Sequence, residues 1–424
     1  MRFAGRRIGI FDYTFGGLYY HENDKGHFAV NQQFQTVFQD YKDRINAGAG
    51  FLRVTAHLTD KLRLTGGVRY TDDHKNFNGD SVRLLIVCRV IVAGVPTCPA
   101  APFFPVVNTL AQEALPVPGV NGVLPVVGTG AIVSRGDVVV NSPLDNSRTT
   151  YRAAVEYDLG SRSLAYASFE SGFRAGGFSL VNGYQTYQPE YIDAYTVGVK
   201  NLLFDNRLEL NAELFYWKYR NQQISHLGVD LAGQTGNFTQ NVGASTNQGV
   251  ELEGRYLTTP DTTVTANVQY LDATYDHFLF QAPISGGAPP LTGCKLSSYA
   301  PNPTLDNVDC SGKQSFNAPK WTLDFGLQHT ATLGPFRLQG LIDTQYQSGR
   351  YVGFDYIAPE HQTPTWQTNA QLILTPDTGP WSLAVFVRNL EDNRYATNAN
   401  SFANLIALTT ANPRTYGIRA SVKY

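Results

Sequence analysis

Lys61-Leu-Arg-Leu-Thr-Gly-Gly-Val-Arg-Tyr70 alternates without a break. Leu62, Leu64, Gly66, Val68 and Tyr70 share one face, and Lys61, Arg63, Thr65, Gly67 and Arg69 share the other. A side-chain period of two belongs to a strand with two unlike faces. The same alternation returns in Tyr151–Leu159, Arg207–Tyr216, Thr263–Tyr270 and Trp321–Gln328, and no helical period of comparable strength competes with it. Lys61–Asp72, Arg207–Tyr219, Gln248–Leu257 and Phe336–Tyr346 are long for a soluble sandwich, whose strands run about 5–6 residues. They suit a tilted strand crossing a bilayer, which needs about 9–11. Their polar faces carry successive charges, as in Arg63/Arg69 and Glu251/Glu253/Arg255. A dry core penalises each unpaired charge by several kcal/mol, whereas a hydrated lumen accepts it. The apolar faces begin or end in Tyr, Trp or Phe, as interfacial girdles require. The expected fold class is therefore all-β, a transmembrane antiparallel β-barrel; a large soluble sandwich or propeller is the competing reading.

Composition agrees. The 424 residues carry 33 Lys plus Arg against 35 Asp plus Glu, so no basic nucleic-acid surface is expected. Only 16% is charged, against roughly 25% in an average soluble domain. No run approaches the roughly 20 apolar residues of a membrane helix, since Leu84–Val95 is broken by Arg89 and followed by Pro96. Met1–Arg7 is basic, but neither an apolar segment nor a small-residue cleavage site follows it. A secreted protein with this beginning is expected to be a mature fragment, or one whose 5′ end is lost.

About fourteen strands are expected, near 7–20, 49–59, 61–72, 149–159, 163–173, 191–202, 207–221, 246–258, 262–272, 320–332, 335–346, 364–375, 381–390 and 415–424. Segments 27–38 and 235–242 could add one or two. Tight turns at Asp205-Asn206, Leu159-Gly160-Ser161 and Leu333-Gly334-Pro335 contrast with long connections at 73–147, 272–320 and 395–414. Short periplasmic turns and long extracellular loops give such an asymmetry. All four cysteines lie in the first two long connections. Local pairing of Cys88 with Cys98 and of Cys294 with Cys310 suits an oxidising exterior. Metal binding is the alternative use, without CxxC spacing or a nearby histidine to support it.

Four motifs then carry a resemblance. Ser171-Gly172-Phe173-Arg174-Ala175-Gly176-Gly177-Phe178 is followed by Pro189-Glu190 and Tyr195–Lys200. Val387-Arg388-Asn389-Leu390-Glu391-Asp392-Asn393-Arg394-Tyr395 precedes Pro413-Arg414-Thr415-Tyr416-Gly417, and the last strand ends in the aromatic Tyr424. In this order they resemble the barrel of TonB-dependent outer-membrane receptors, with Gly66–Thr71 extending the likeness toward the amino end. The resemblance implies a 22-stranded barrel in the outer membrane of a Gram-negative bacterium. It also implies a signal peptide, a TonB-contacting segment and a plug, none of which is seen ahead of the first strands. Residues 1–424 are thus expected to be a partial barrel. The implied function is active import of a scarce solute, first among them a ferric siderophore, with vitamin B12, haem and oligosaccharides as other family cargoes. The implied partners are outer-membrane lipid and lipopolysaccharide, and the TonB–ExbB–ExbD complex if a plug exists upstream. A plugless passive pore or structural barrel subunit is the alternative; a truncated, inactive product and a surface adhesin are others.

No catalytic or metal-binding constellation emerges: the eight histidines are scattered without HxH or HExxH spacing, and no covalently bound cofactor is expected. Asp72, Asp73 and His74 read as a charged strand end, and Arg388 as a lumen-lining residue. Ligand contact, if the receptor reading holds, falls to aromatic and charged loop residues: Tyr275, His277 and Phe278, then Arg350, Tyr351 and Phe354, with Arg174 facing an anionic chelate.

Overall fold

The computed structural model describes residues 1–424 apart from 33–34, 89, 93–94, 98–122, 127–130, 233–234, 242, 285–287, 403–404 and 424. Its main body is one 16-stranded sheet. Along the wall, in chain order, run Arg2–Ala4, Phe11–Gln32, Gln35–His57, Leu62–Cys88, Ala131–Gly160, Ser163–Arg174, Glu190–Leu203, Leu208–Arg220, Ala244–Thr259, Thr262–His277, Trp321–Leu333, Phe336–Gln347, Thr365–Pro376, Trp381–Arg388 and Thr415–Val422. Each pairs antiparallel with its neighbour, and Val123–Val126 pairs with Ala131–Gly160 off this path.

Three details differ from the sequence expectation. Segment 27–38 adds no strand of its own; it forms the ends of Phe11–Gln32 and Gln35–His57, which are paired along their whole length. Residues 73–88 and 131–147 are likewise paired, so the connection expected at 73–147 rises from an extended ladder. Segment 235–242 falls off the wall: Thr235–Asn241 forms a separate hairpin with Gln223–Val229.

Register identifies the two faces. Leu64, Val155, Val197, Leu214, Leu327, Ile342, Leu372 and Val385 lie on one side, and each is 38–56% exposed. An apolar belt this continuous is a lipid-facing surface. On Phe336–Gln347 the belt runs from Phe336 at the turn end to Tyr346 at the loop end. Ten residues at ~3.3 Å, tilted about 40°, span roughly 25 Å, the height of an outer-membrane apolar band. Rings mark both borders. Tyr346–Trp366 (5.0 Å), Tyr270–Trp321 (4.9 Å) and Phe169–Tyr195 (5.0 Å) mark the loop side, and Phe336–Trp381 (6.1 Å) the turn side.

The tilt can be read from the pairing. One row of partners runs Tyr346, Leu323, Val268, Leu252, Ala212, Val199, Ala165, Tyr157. It leaves the loop-side end of one strand and arrives near the turn-side end of another. A drop of about seven residues over about seven inter-strand steps of ~4.8 Å corresponds to a tilt of roughly 35°, within the range of barrel walls.

The opposite face is polar and ion-paired. Arg63 lies 3.0 Å from Glu156 and 2.5 Å from Asp158, Arg152 pairs with Glu170, and Arg388 stands 3.9 Å from Asp343. Connections on the turn side are short. In 204–206 three consecutive non-glycine residues, Phe204, Asp205 and Asn206, take positive φ of 50, 53 and 68° to close the hairpin. On the far side, four strands of 22, 23, 27 and 30 residues overshoot the bilayer. Their surplus of about 12–20 residues projects roughly 30–50 Å beyond it.

Candidate functional site

The connections on the projecting side are knitted into a cap with a core of its own. Ile224, Tyr275, Phe278, Val308, Cys310, Phe354 and Tyr356 are buried together, and Cys294 is bonded to Cys310 at their edge. A train of rings links separate loops: Tyr184 to Phe238 (4.6 Å), Phe238 to His226 (4.5 Å), His226 to Phe354 (4.0 Å), Phe354 to Phe280 (6.0 Å) and Phe280 to Phe278 (5.4 Å). Hydrogen bonds follow the same path. Tyr184 donates to Gln281 O at 2.9 Å, Tyr356 to Gln314 O at 2.6 Å, and the Ala399 amide to Val352 O at 2.9 Å.

Asp355 is the junction of three loops. Its carbonyl accepts from the Thr292 hydroxyl at 2.9 Å and the Gly293 amide at 2.7 Å, and its carboxylate accepts from Ser401. Burial pushes its pKa up to about 6, opposed by the Ser401 bond. Glu360, with no exposed surface, is pushed up to about 7 by burial and secondarily by the charge of Asp355. Burial also lowers the Arg350 pKa, and Arg350 Nε donates to Asn317 Oδ1 at 3.1 Å.

A second tether joins the cap to the projecting wall. Arg83, on Leu62–Cys88, donates to Leu180 O at 2.7 Å and stands 3.8 Å from Asp230, whose carboxylate accepts from the Asn182 and Ala232 amides.

The residues expected to touch ligand divide. Tyr275, Phe278, Phe354 and Arg350 are only 0–6% exposed, so their surface is spent on the cap core. An aromatic loop residue serves a large loop's own packing as readily as a ligand, and composition does not distinguish the two. His277 and Arg174 are exposed and Tyr351 is half-buried, with its ring 5.1 Å from that of His361. Glu360, Asp230 and Arg83 carried no motif, and only the folded loops bring them to their partners.

The signature residues are architectural. Gly172, Phe173 and Arg174 end the strand Ser163–Arg174. A Cβ on Gly176 would lie 2.3 Å from Tyr187 O, so only glycine lets the two backbones approach. Gly177 and Phe178 pair with Tyr187 and Thr186, Phe178 stacks on Phe77 at 5.1 Å, and Lys75 donates to Gly176 O at 2.7 Å. After Pro189, the Glu190 carboxylate accepts from the Gln223 amide at 2.6 Å, while the Gln223 side chain bonds Ala175 O and Gln188 O.

The last motifs form a knot. Asn389, 1% exposed with φ 54°, donates to Asn393 O and Asn412 O, both at 3.0 Å, and its Oδ1 accepts from the Asn393 amide. The Leu390 amide bonds Thr368 O, the Asp392 carboxylate accepts from the Arg414 amide beside Pro413, and Tyr395 donates to Gln367. Tyr416, 81% exposed, stands on the lipid face, and Phe386 covers its cross-strand partner Gly417. Tyr424 and Cys98 lie outside the described residues, so the Cys88–Cys98 pairing does too.

Comparison with known proteins agrees with this architecture. The family profile "TonB dependent receptor-like, beta-barrel" matches residues 3–390. The ferric yersiniabactin uptake receptor of Yersinia pestis superposes with a TM-score of 0.67 at 15% identity, covering 100% of this chain and 53% of its own. The ferric citrate transporter does so with 0.56 at 13%, covering 100% and 60%. For the ferric-catecholate import receptor of E. coli K12 the values are 0.55 and 14%, with 97% and 55% covered. The chain therefore spans little more than half the length of these receptors, and the likeness is one of fold. On the profile match the chain belongs to the TonB-dependent receptor family, as part of its outer-membrane β-barrel.

Proposed function

We propose that this chain is the barrel portion of a receptor that imports a scarce, large solute across the outer membrane, with a ferric siderophore as the cargo. The supporting observation is the division of the wall: an apolar belt outward, ion-paired polar residues inward, and a cap of interlocked loops on the long-loop side only. A simple pore has no need of a cap built around its own buried core. In the proposed cycle the exposed Arg174 and His277 and the half-buried Tyr351 meet the chelate. An anionic ferric complex is drawn by the arginine, and a flat or aromatic chelate by the rings. Polar wall residues such as Asp343 and Arg388 keep the passage hydrated. The energy comes from TonB with ExbB and ExbD, acting through a plug carried by the longer protein.

The test is uptake of radioactive iron by cells whose own receptors are deleted, supplied in turn with ferric citrate, a ferric catecholate and a ferric phenolate. Uptake of one chelate that disappears on loss of TonB supports the proposal. A steady ion conductance independent of TonB, without chelate uptake, would replace it with the passive-pore reading.

A further inference from the structure

The strand Ala131–Gly160 has one edge paired along its length and the other paired in part. Leu62–Cys88 runs along the first edge, from Tyr157 up to Ala131. The second edge carries Ser163–Arg174 as far up as Arg152, and Val123–Val126 at its top, from Ser134 to Ala131. Between these two, from Arg135 to Tyr151, no strand pairs with it among the described residues. Asp137–Ser147 stands beyond the outward aromatics Tyr70 and Tyr151, clear of the lipid belt.

Two contacts fix which backbone groups face the open edge. The Asp158 amide donates on the first side, to Lys61 O at 2.9 Å, and the Tyr151 amide on the second, to Ser171 Oγ at 2.8 Å. The pairing with Leu62–Cys88 has no bulge from Tyr157 to Ala131, so each odd residue turns its backbone groups to the open side. These are Asp137, Val139, Asn141, Pro143, Asp145 and Ser147, and all six are exposed. Pro143 has no N–H, and its carbonyl accepts from the Ser142 hydroxyl at 3.1 Å. The other five offer one donor and one acceptor each, and no hydrogen bond among the described residues uses them on that side. A row of alternating donors and acceptors at strand spacing is complementary to another extended backbone. Val123–Val126 already uses the top of this same edge in that way.

Charge selects the incoming strand. Asp137 and Asp145 bracket the row, Asp80 lies across the ladder from Val139, and Asp72 across from Ser147. The outward basic groups here are Arg135, held by Asp137, and His74, held between Asp72 and Asp145. Lys42 and Arg44 stand two strands behind the edge strand, roughly 10 Å away. A second copy of this edge, paired antiparallel about Asn141, would set Asp137 against Asp145 twice, and opposed like charges destabilise a ladder. A strand with Lys or Arg at those two places meets both carboxylates instead.

We infer that the Asp137–Ser147 edge takes up an extended, basic segment of another protein as an additional antiparallel strand on the long-loop side of the membrane. The inference requires the outer-membrane placement but is independent of the cargo, so failure of chelate uptake leaves it standing.

The test is fluorescence anisotropy of a labelled peptide of alternating lysine and threonine, added to the full chain in detergent. Two control peptides accompany it, one N-methylated on the backbone at each lysine and one with glutamate in place of lysine. The lysine peptide is expected to bind at least about tenfold more tightly than either control. V139P puts a second proline where the N–H faces the open side and leaves the pairing with Leu62–Cys88 intact. It is expected to weaken binding at least about tenfold. D137N/D145N is expected to lose much of the preference for lysine over glutamate while still rejecting the N-methylated peptide. Should V139P fail to fold, the N-methylated peptide on the unaltered chain still decides. Absence of saturable binding, equal binding of the N-methylated peptide, undiminished binding to V139P, or an unchanged charge preference in D137N/D145N would overturn it.

Discussion

The side chain of Asn389 holds the carbonyl of Asn412, 23 residues further along the chain, at a distance of 3.0 Å. With the Asp392 carboxylate, which accepts from the Arg414 amide, this amide closes the loop between the last two wall strands, and Asn389 also takes a left-handed backbone that asparagine tolerates better than most residues. The penultimate-strand signature is thus a device for fixing the final strand against its neighbour.

Replacing Asn389 with Ala removes two donated bonds and one accepted bond from a buried position. The expected loss is about 2–4 kcal/mol. N389D should be nearly as harmful despite its shape, because a carboxylate cannot donate. Denaturant midpoints of the folded chain in detergent measure both; an N389D midpoint equal to wild type would exclude the knot.

Arg63 bridges Glu156 and Asp158 on the inner face. In a dry core, losing one partner of such a cluster costs about 3–5 kcal/mol. In a hydrated lumen R63M should cost no more than about 1 kcal/mol. The same midpoints decide between these environments.

Leu214 lies in the lipid belt and Asn211 on the polar face of the same strand. L214R should destabilise the membrane-inserted chain by about 2–4 kcal/mol, and N211R by less than half of that. Similar costs at both positions would contradict the assignment of faces.

The cap should loosen as pH rises. Asp355 and Glu360 have folded pKa values raised to about 6 and about 7. The folded cap therefore binds more protons than the unfolded one between about pH 4 and 7, and stability falls with increasing pH across that window. Amide exchange in 348–364 is expected to be at least about tenfold faster at pH 8 than at pH 5, after correction for intrinsic rates. E360Q should remove much of that dependence, and an unchanged pH profile in E360Q would show that another group governs it.

The wall was legible in the sequence because each strand states its two faces locally. Leu62 to Tyr70 needs no partner to reveal which residues meet lipid. Strand ends in projecting hairpins were not legible, because beyond Asp72 the outward face turns polar through His74, Asn76, Asn78 and Asp80 while Phe77 packs with Val138, Val140 and Leu180 on the inner side, so the alternation that marks a lipid boundary vanishes. The cap was hidden for a different reason. Tyr275 and Phe278, at the loop end of one strand, and Phe354, in a later connection, become a core only when those segments meet, and Asp355 gains its role from Thr292, Gly293 and Ser401, each distant in the chain. The signature motifs revealed the family, but not that Asn389 and Gly176 serve strand and loop closure.

The central claim is that one face of this sheet lies in lipid and the other in water. A nitroxide scan of Leu338 to Gln345 measures it most directly, with the chain reconstituted in bilayers and Cys88→Ser and Cys98→Ser as background. Labels at 338, 340, 342 and 344 should collide preferentially with oxygen, and those at 339, 341, 343 and 345 with a water-soluble nickel complex. Equal access of the nickel complex to both sets would contradict the membrane wall.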